Sequence, residues 1–292
     1  MKAAIYSRVL EASQEKDVQF FFDELDRNKI EPVIFQPFFE DIKERLHLPA
    51  TTKIFHRSEE LDESIEFIIS LGGDGTLLDT VTLVRDKGIP IMGINMGRLG
   101  FLASIGRDEI THAIRSIVGR TYVIDRRTLI HVDADIPLFG EVPYALNEFS
   151  IHKRDVAAMI KIHTYLNGEF LNTYWADGLL VATPTGSTGY SLSCNGPVVF
   201  PESGSLVITP VAPHNLNVRP IVVPDNNIIS FEVESRTDNI IVSLDSRGEV
   251  VSKNVQLAVR KESFDIKLAR LSENNFLQTL RNKLTWGLDK RN

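Results

Sequence analysis

The 292-residue sequence predicts an α/β domain followed by an all-β domain, on three observations. Before about residue 125, short β-rich apolar runs alternate with stretches whose apolar residues recur every three or four positions, as a doubly wound sheet requires. After it, short alternating runs are separated by turn residues, which is an all-β texture. Between a strand-like and a helix-like run of the first part sits a dense glycine block, Gly72-Gly73-Asp74-Gly75-Thr76.

The spacing predicts strands over 2–6, 33–36, 66–71 and 90–94. Between the first two, residues 14–29 place Val18, Phe21, Phe22 and Leu25 on one helical face, with Phe20 off the pattern. The run 76–81 has helical spacing directly after the glycine block. Residues 107–119 repeat the theme with Ile110, Ala113, Ile114 and Ile117. In the second part strands are predicted over 129–132, 159–166, 177–182, 206–209, 219–223, 228–233, 240–244, 254–259 and 264–269. Asn167-Gly168 signals a two-residue hairpin, because both positions tolerate positive φ. A last helix over 274–286 carries Phe276, Leu277, Leu280 and Leu284.

Composition narrows the function. A net charge of −7 argues against a nucleic-acid binder, which normally shows a basic excess. No stretch approaches 18 consecutive apolar residues and the apolar part of the start is too short for a signal peptide, so a cytoplasmic chain without membrane partners is expected. One cysteine, Cys194, excludes an internal disulfide and reads as a bystander thiol. His152 and His163 show no metal-ligand spacing.

Two blocks carry chemistry. In the first, three glycines let the backbone approach a ligand, and the helix that follows offers free N–H groups to phosphate oxygens. Asp74 is the anomaly: a carboxylate in an anion loop adds repulsion unless it takes a proton or holds a metal, or merely caps the helix. The second block, Thr183-Pro184-Thr185-Gly186-Ser187-Thr188-Gly189-Tyr190-Ser191, sets two glycines and five hydroxyl-bearing Ser and Thr side chains within nine residues. Hydroxyls and glycine N–H groups suit a pyrophosphate, although a Ser/Thr-rich surface loop has a similar composition. Asn147-Glu148 lies between the blocks and supplies an amide and a carboxylate.

Together these residues resemble the bacterial NAD kinases, also called ATP-NAD kinases. That family carries a Gly-Gly-Asp-Gly-Thr loop, an Asn-Glu pair and a Thr-Pro-(Thr/Ser)-Gly-(Ser/Thr)-Thr-(Ala/Gly)-Tyr-Ser stretch in this order, and Gly97-Arg98-Leu99-Gly100-Phe101-Leu102 is similar to a further family segment. The first loop is shared with lipid kinases and phosphofructokinases; the second is specific to NAD kinases. The resemblance implies a Rossmann-like domain over 1–125, a β-sandwich NAD-binding domain over 126–270, and a segment 271–292 packing on the first domain. It implies Mg²⁺-dependent transfer of the ATP γ-phosphoryl group to the 2′-hydroxyl of the adenosine ribose of NAD, giving NADP. Asp74 would be the general base. Gly72, Gly73, Gly75 and Thr76 would hold phosphates, and Mg²⁺ or another divalent metal would arrive with ATP rather than in a dedicated protein cage. Phe101, Asn147, Glu148, Asp177, Thr185, Ser187, Thr188, Gly189, Tyr190, Ser193 and Ala212 would contact NAD, and a homo-oligomer, dimer or tetramer, is expected.

The sequence departs from the family at Trp175-Ala176, a position bearing on NAD versus NADH, at Asn195, and at Asp245-Ser246-Arg247 where Asp-Gly-Gln is frequent. The competing readings are a catalytically silent NAD sensor and a diacylglycerol-type lipid kinase.

Overall fold

The computed structural model describes residues 1–97, 100–155 and 158–285; Arg98 and Leu99 of the Gly97 to Leu102 segment, and Trp286 at the end of the predicted last helix, lie outside them. The chain divides into two compact units, Met1–Arg126 with Ile266–Asn292, and Arg127–Asp265.

The first unit is built on parallel strands. Its elements are β1 (Lys2–Tyr6), α1 (Glu15–Arg27), β2 (Glu31–Phe35), α2 (Gln36–Ile42), β3 (Lys53–Phe55), β4 (Ile65–Leu71), α3 (Asp74–Val84), β5 (Ile91–Asn95), β6 (Ile105–Gly106) and α4 (Ile110–Gly119). The strand order β5-β4-β1-β2-β3, all parallel, is doubly wound: the chain runs outward from β1 through β2 to β3, then returns to the other side of β1 with β4 and β5. Side-chain alternation divides the core. Ala3, Ile5, Phe67, Ile69, Met92 and Ile94 pack in one cluster with Phe21 and Phe22 of α1, Phe38 of α2 and Ile114 of α4. Phe20 is 40% exposed, as its place off the helical face requires. On the opposite side α3 approaches β5 closely: a Cβ on Gly93 would stand 2.8 Å from Leu77 Cδ1. Neither α2 nor β3 is anticipated by the apolar spacing; a proline in the first turn starts α2, and its helix is only seven residues long.

The second unit is a β-sandwich. It continues with β7 (Val123–Ala134), β8 (Tyr144–Ala145), β9 (Glu148–Lys153), β10 (Ile160–Leu166), β11 (Glu169–Ala176), β12 (Gly178–Ala182), the one-turn α5 (Tyr190–Ser193), β13 (Ser205–Val211), β14 (Ile221–Pro224), β15 (Ile229–Glu234), β16 (Asn239–Leu244), β17 (Arg247–Ser252) and β18 (Leu257–Arg270), and α6 (Phe276–Leu284) follows in the first unit. One sheet has the antiparallel order β14-β13-β12-β9-β16-β17. Facing it, β11, β10, β15 and the start of β18 pair antiparallel. The inner faces interdigitate Phe149, Ile151, Val181 and Ile208 with Ile160, Ile162, Phe231 and Val259. Asn167 and Gly168 take φ of +50° and +85° and close the β10–β11 hairpin. The strands predicted over 254–259 and 264–269 are one element: β18 runs unbroken, and its last residues, Leu268 and Ala269, pair parallel with β5 in the first unit. α6 starts at an Asn275 cap, whose side-chain oxygen accepts from Gln278 N–H at 2.9 Å.

Candidate active site

In the first unit the glycine block lies at the carboxyl end of β4, next to β1, where the winding reverses. Ligands of doubly wound sheets bind outside the carboxyl ends of the strands at this switch point. Gly72 takes φ +149°, and a Cβ there would stand 2.9 Å from Thr76 Cβ, so the turn excludes a side chain. Its N–H donates to Ile94 O at 2.9 Å, tying the loop to β5, and Thr76 N–H donates to Gly73 O at 3.1 Å. α3 begins at Asp74, and a helix start leaves its first N–H groups for an anion.

Asp74 is fixed by backbone alone. Its Oδ2 accepts from Phe101 N–H at 2.8 Å, and its Oδ1 from Leu102 and Ala103 N–H at 3.0 and 2.9 Å. The loop 100–103 therefore wraps the carboxylate, and Gly100 must be glycine: a Cβ there would lie 2.5 Å from Asp74 Cγ and closer still to Oδ1. A carboxylate offers about four acceptor positions, so one remains on Oδ2. The Phe101 ring has Lys283 Nζ over it at 6.0 Å.

In the second unit a different carboxylate does the organising. Asp245, at φ +52° in the β16–β17 turn, accepts N–H bonds from Leu146, Asn147 and Glu148 at 3.0, 2.8 and 3.1 Å. It fixes the Asn147-Glu148 segment at the start of β9. The second block leans on the same segment. Thr183 N–H bonds Asn147 O at 2.8 Å, its hydroxyl donates to Leu146 O at 2.5 Å, and Gly186 approaches so closely that a Cβ would fall 2.5 Å from Asn147 C. Ser187 is fully enclosed, with its hydroxyl donating to Pro184 O and accepting from Val199 N–H. Thr185 is also buried, and Thr188 donates to Thr185 O. These hydroxyls build the loop, whereas Tyr190 is 42% exposed with its ring stacked on His152 at 5.7 Å.

Glu148 is 9% exposed, takes an N–H bond from Tyr190, and its Oε2 has no hydrogen-bond partner among the described residues. Burial, and then the charge of Asp245, push its carboxyl up from an ordinary 4.5 to about 8. Asp245 itself is raised by burial, against the lowering effect of its three N–H bonds. Asp177 pairs with Lys153 Nζ at 2.6 Å, a cation that the sequence does not advertise but the β9–β12 register sets opposite it. Asp177 N–H bonds Val211 O, which brings Ala212, at φ +45°, beside it. Burial lowers the His152 imidazole, and Asp177 partly offsets this. Ser193 ends α5. Cys194, only partly buried, has its thiol pushed up by burial. Trp175 stacks on His214 at 4.5 Å. Among the described residues, no three His, Cys, Asp or Glu side chains converge as a metal cage.

A glycine loop at the switch point of a parallel sheet, joined in one chain to a sandwich that presents a braced amide-carboxylate pair, defines a nucleotide-dependent phosphotransferase. The family models for the ATP-NAD kinase N-terminal and C-terminal domains match residues 25–122 and 146–271. The chain is 47% identical to an NAD kinase of Cytophaga hutchinsonii over 99% of both chains, and 40% identical over the full length to one of Bacteroides fragilis. An NAD kinase of Archaeoglobus fulgidus solved with ATP superposes with a TM-score of 0.76 at 26% identity, covering 98% of this chain and 99% of that one. The yeast NADH kinase shares the fold, at TM-score 0.89 and 20% identity over 99% of this chain and 88% of its own. The chain belongs to the ATP-NAD kinase family. Its function is that of an NAD kinase, an enzyme with NAD and ATP as substrates.

Proposed function

We propose that the phosphoryl group passes from ATP to the 2′-hydroxyl of the adenosine ribose of NAD with Asp74 as the general base. A ribose hydroxyl is a poor nucleophile at neutral pH, so a carboxylate within hydrogen-bond reach takes its proton as attack proceeds. The observation that supports Asp74 is its preorganisation: three backbone donors hold the carboxylate and leave one acceptor position open. The N–H groups at the start of α3 serve the donor phosphates. Mg²⁺ or another divalent metal, arriving with ATP, would offset the charge of those phosphates.

On the acceptor side, Asn147 and Glu148 bind NAD, Asp177 accepts from a ribose hydroxyl, and Tyr190, Thr188, Gly189, Ser193 and Ala212 line the dinucleotide. Thr185 and Ser187 act by shaping their loop. Phe101 packs on a ring. The domains act as a phosphate-handling unit and an NAD-binding unit, in a cytoplasmic homo-oligomer. Among the described residues no helix is long and apolar enough to cross a membrane.

Asp74→Asn tests the base. NAD binding measured by calorimetry should persist with modest loss while NADP formation, read through an NADP-specific dehydrogenase, disappears. The amide nitrogen also faces an N–H donor, so a thermal melt accompanies the assay to separate loop damage from lost chemistry. Turnover that survives the substitution removes Asp74 from the role. NAD binding by wild type without any NADP would favour the sensor.

A further inference from the structure

The carboxyl-end rim of the first unit carries a cation with an open edge. Arg8 follows β1, and β1 and β4 flank the switch point. Its guanidinium is locked from one side: Nε donates to Asp79 Oδ2 at 2.5 Å, and Nη2 donates to Asp79 Oδ1 at 2.9 Å and to Gly75 O at 3.1 Å. Asp79 is steadied in turn by the Tyr6 hydroxyl at 3.1 Å. The Tyr6 hydroxyl also touches the guanidinium, and Nη1, which takes no part in the bonds to Asp79 and Gly75, lies against the glycine block, 3.5 Å from where a Gly75 Cβ would stand. The Arg8 side chain remains 52% exposed.

An ion pair this exposed contributes little to stability, so fold support is a weak reason for such a fork. The loop has a need that the fork meets. Asp74 and Asp79 put two carboxylates in the first half of α3, and an incoming polyphosphate must overcome their charge. The rim also holds Asn95, at the end of β5: it is 3% exposed, its Oδ1 accepts from Gly97 N–H, and its Nδ2 has no hydrogen-bond partner among the described residues. Buried donors left this way call for an explanation, and a bound anion supplies one.

Resting on the NAD kinase reading, the geometry points to Arg8 as a ligand of the phosphoryl donor. Its open Nη1 edge binds the polyphosphate of the nucleoside triphosphate above the glycine block, and Asp79 and the Gly75 carbonyl are the positioning groups that hold the fork toward it. Arginine suits the task because its planar fork can hold a carboxylate on one edge and a phosphate on the other in a fixed geometry, where a lysine offers only a point charge on a flexible stem.

The test is initial-rate kinetics on the full chain, with NAD and Mg-ATP varied separately, for wild type, Arg8→Gln, Arg8→Lys and Asp79→Asn. Thermal melts and a calorimetric titration of Mg-ATP accompany them. Arg8→Gln should raise both KM and Kd for ATP about tenfold or more, the scale of a lost charge-assisted hydrogen bond, with KM for NAD within about twofold of wild type. Arg8→Lys should fall between. Asp79→Asn should move KM for ATP in the same direction by less. An unchanged KM for ATP in a variant with native Tm overturns the assignment, and so does an equal rise in KM for NAD, which would put the guanidinium on the dinucleotide. If Arg8→Gln melts early, Arg8→Lys decides by the same criteria. A wild type that binds Mg-ATP in an Arg8-dependent way yet forms no NADP would sink the kinase reading and leave the donor site standing.

Discussion

Gly100→Ala changes one methyl group and isolates the placement of Asp74. The new Cβ would lie 2.5 Å from Asp74 Cγ and 2.8 Å from Oδ2, where non-bonded carbon atoms need about 3.5 Å. The carboxylate must move by about 1 Å or the loop 100–103 must lift off it; either way the bonds from Phe101, Leu102 and Ala103 stretch together. A displacement of about 1 Å at a reacting group costs on the order of 10²-fold in rate. Each bond to a charged acceptor contributes roughly 1.5–3 kcal/mol net, so partial loss of three lowers stability by a few kcal/mol. The assay is kcat for NADP formation beside a thermal melt, with Gly119→Ala as reference, since a Cβ there meets Thr121 only at ordinary contact distance. The expected result is a kcat fall near 10²-fold at saturating ATP and NAD, with a lowered Tm. A kcat within about twofold of wild type would refute the claim that this geometry positions the base.

Glu148 gives a pH prediction. Its carboxyl, raised to about 8 in the folded chain against an ordinary 4.5, keeps a proton that the unfolded chain has already released. Stability therefore falls as pH rises from about 4.5 to about 8, by at most ~1.4 kcal/mol per unit, and levels off above. Glu148→Gln should flatten the Tm profile over that range; parallel profiles would show that Glu148 is not its source. Asp245→Ala should lower Tm by several degrees, because three N–H groups lose their acceptor and alanine tolerates φ +52° poorly, whereas Asp245→Asn keeps one oxygen and the turn and should cost less. Gly186→Ala, with its Cβ 2.5 Å from a backbone carbon of Asn147, should weaken NAD binding in calorimetry by more than the same change at the exposed Gly119.

What could be read from the residues and what could not follow one physical line. Periodicity reported the elements with a long apolar face: Phe21, Phe22 and Leu25 drew α1, and Asn167-Gly168 drew a hairpin. It failed on α2, whose single turn or two of apolar contact is too short to show a period, and it split β18 where Lys261, Glu262 and Ser263 interrupt the apolar pattern of one continuous strand. At the site, motifs announce residues that recur as a block. Asp245 is different: it acts on Asn147 from a turn about a hundred residues away, and its departure from the family pattern gave it little weight. Arg8 and Lys153 are single cations after or within strands, and nothing local distinguishes them from the other basic residues of the chain. Their partners, Asp79 and Asp177, are set by strand order and register, which exist only once the sheet does.

The pairing of Leu268 and Ala269 with Ile91 and Met92 has a consequence for biosynthesis. As the chain leaves the ribosome, β1 to β5 can assemble early, but the amino-terminal half of β5 then faces water as an unpaired, fully apolar edge while the whole sandwich is still being made. The first unit is thus the first begun and the last completed. A chain stalled or cut before residue 266 carries an adhesive strand rather than a finished domain, and protection of the β5 amides in a pulse of hydrogen exchange during refolding would time its closure.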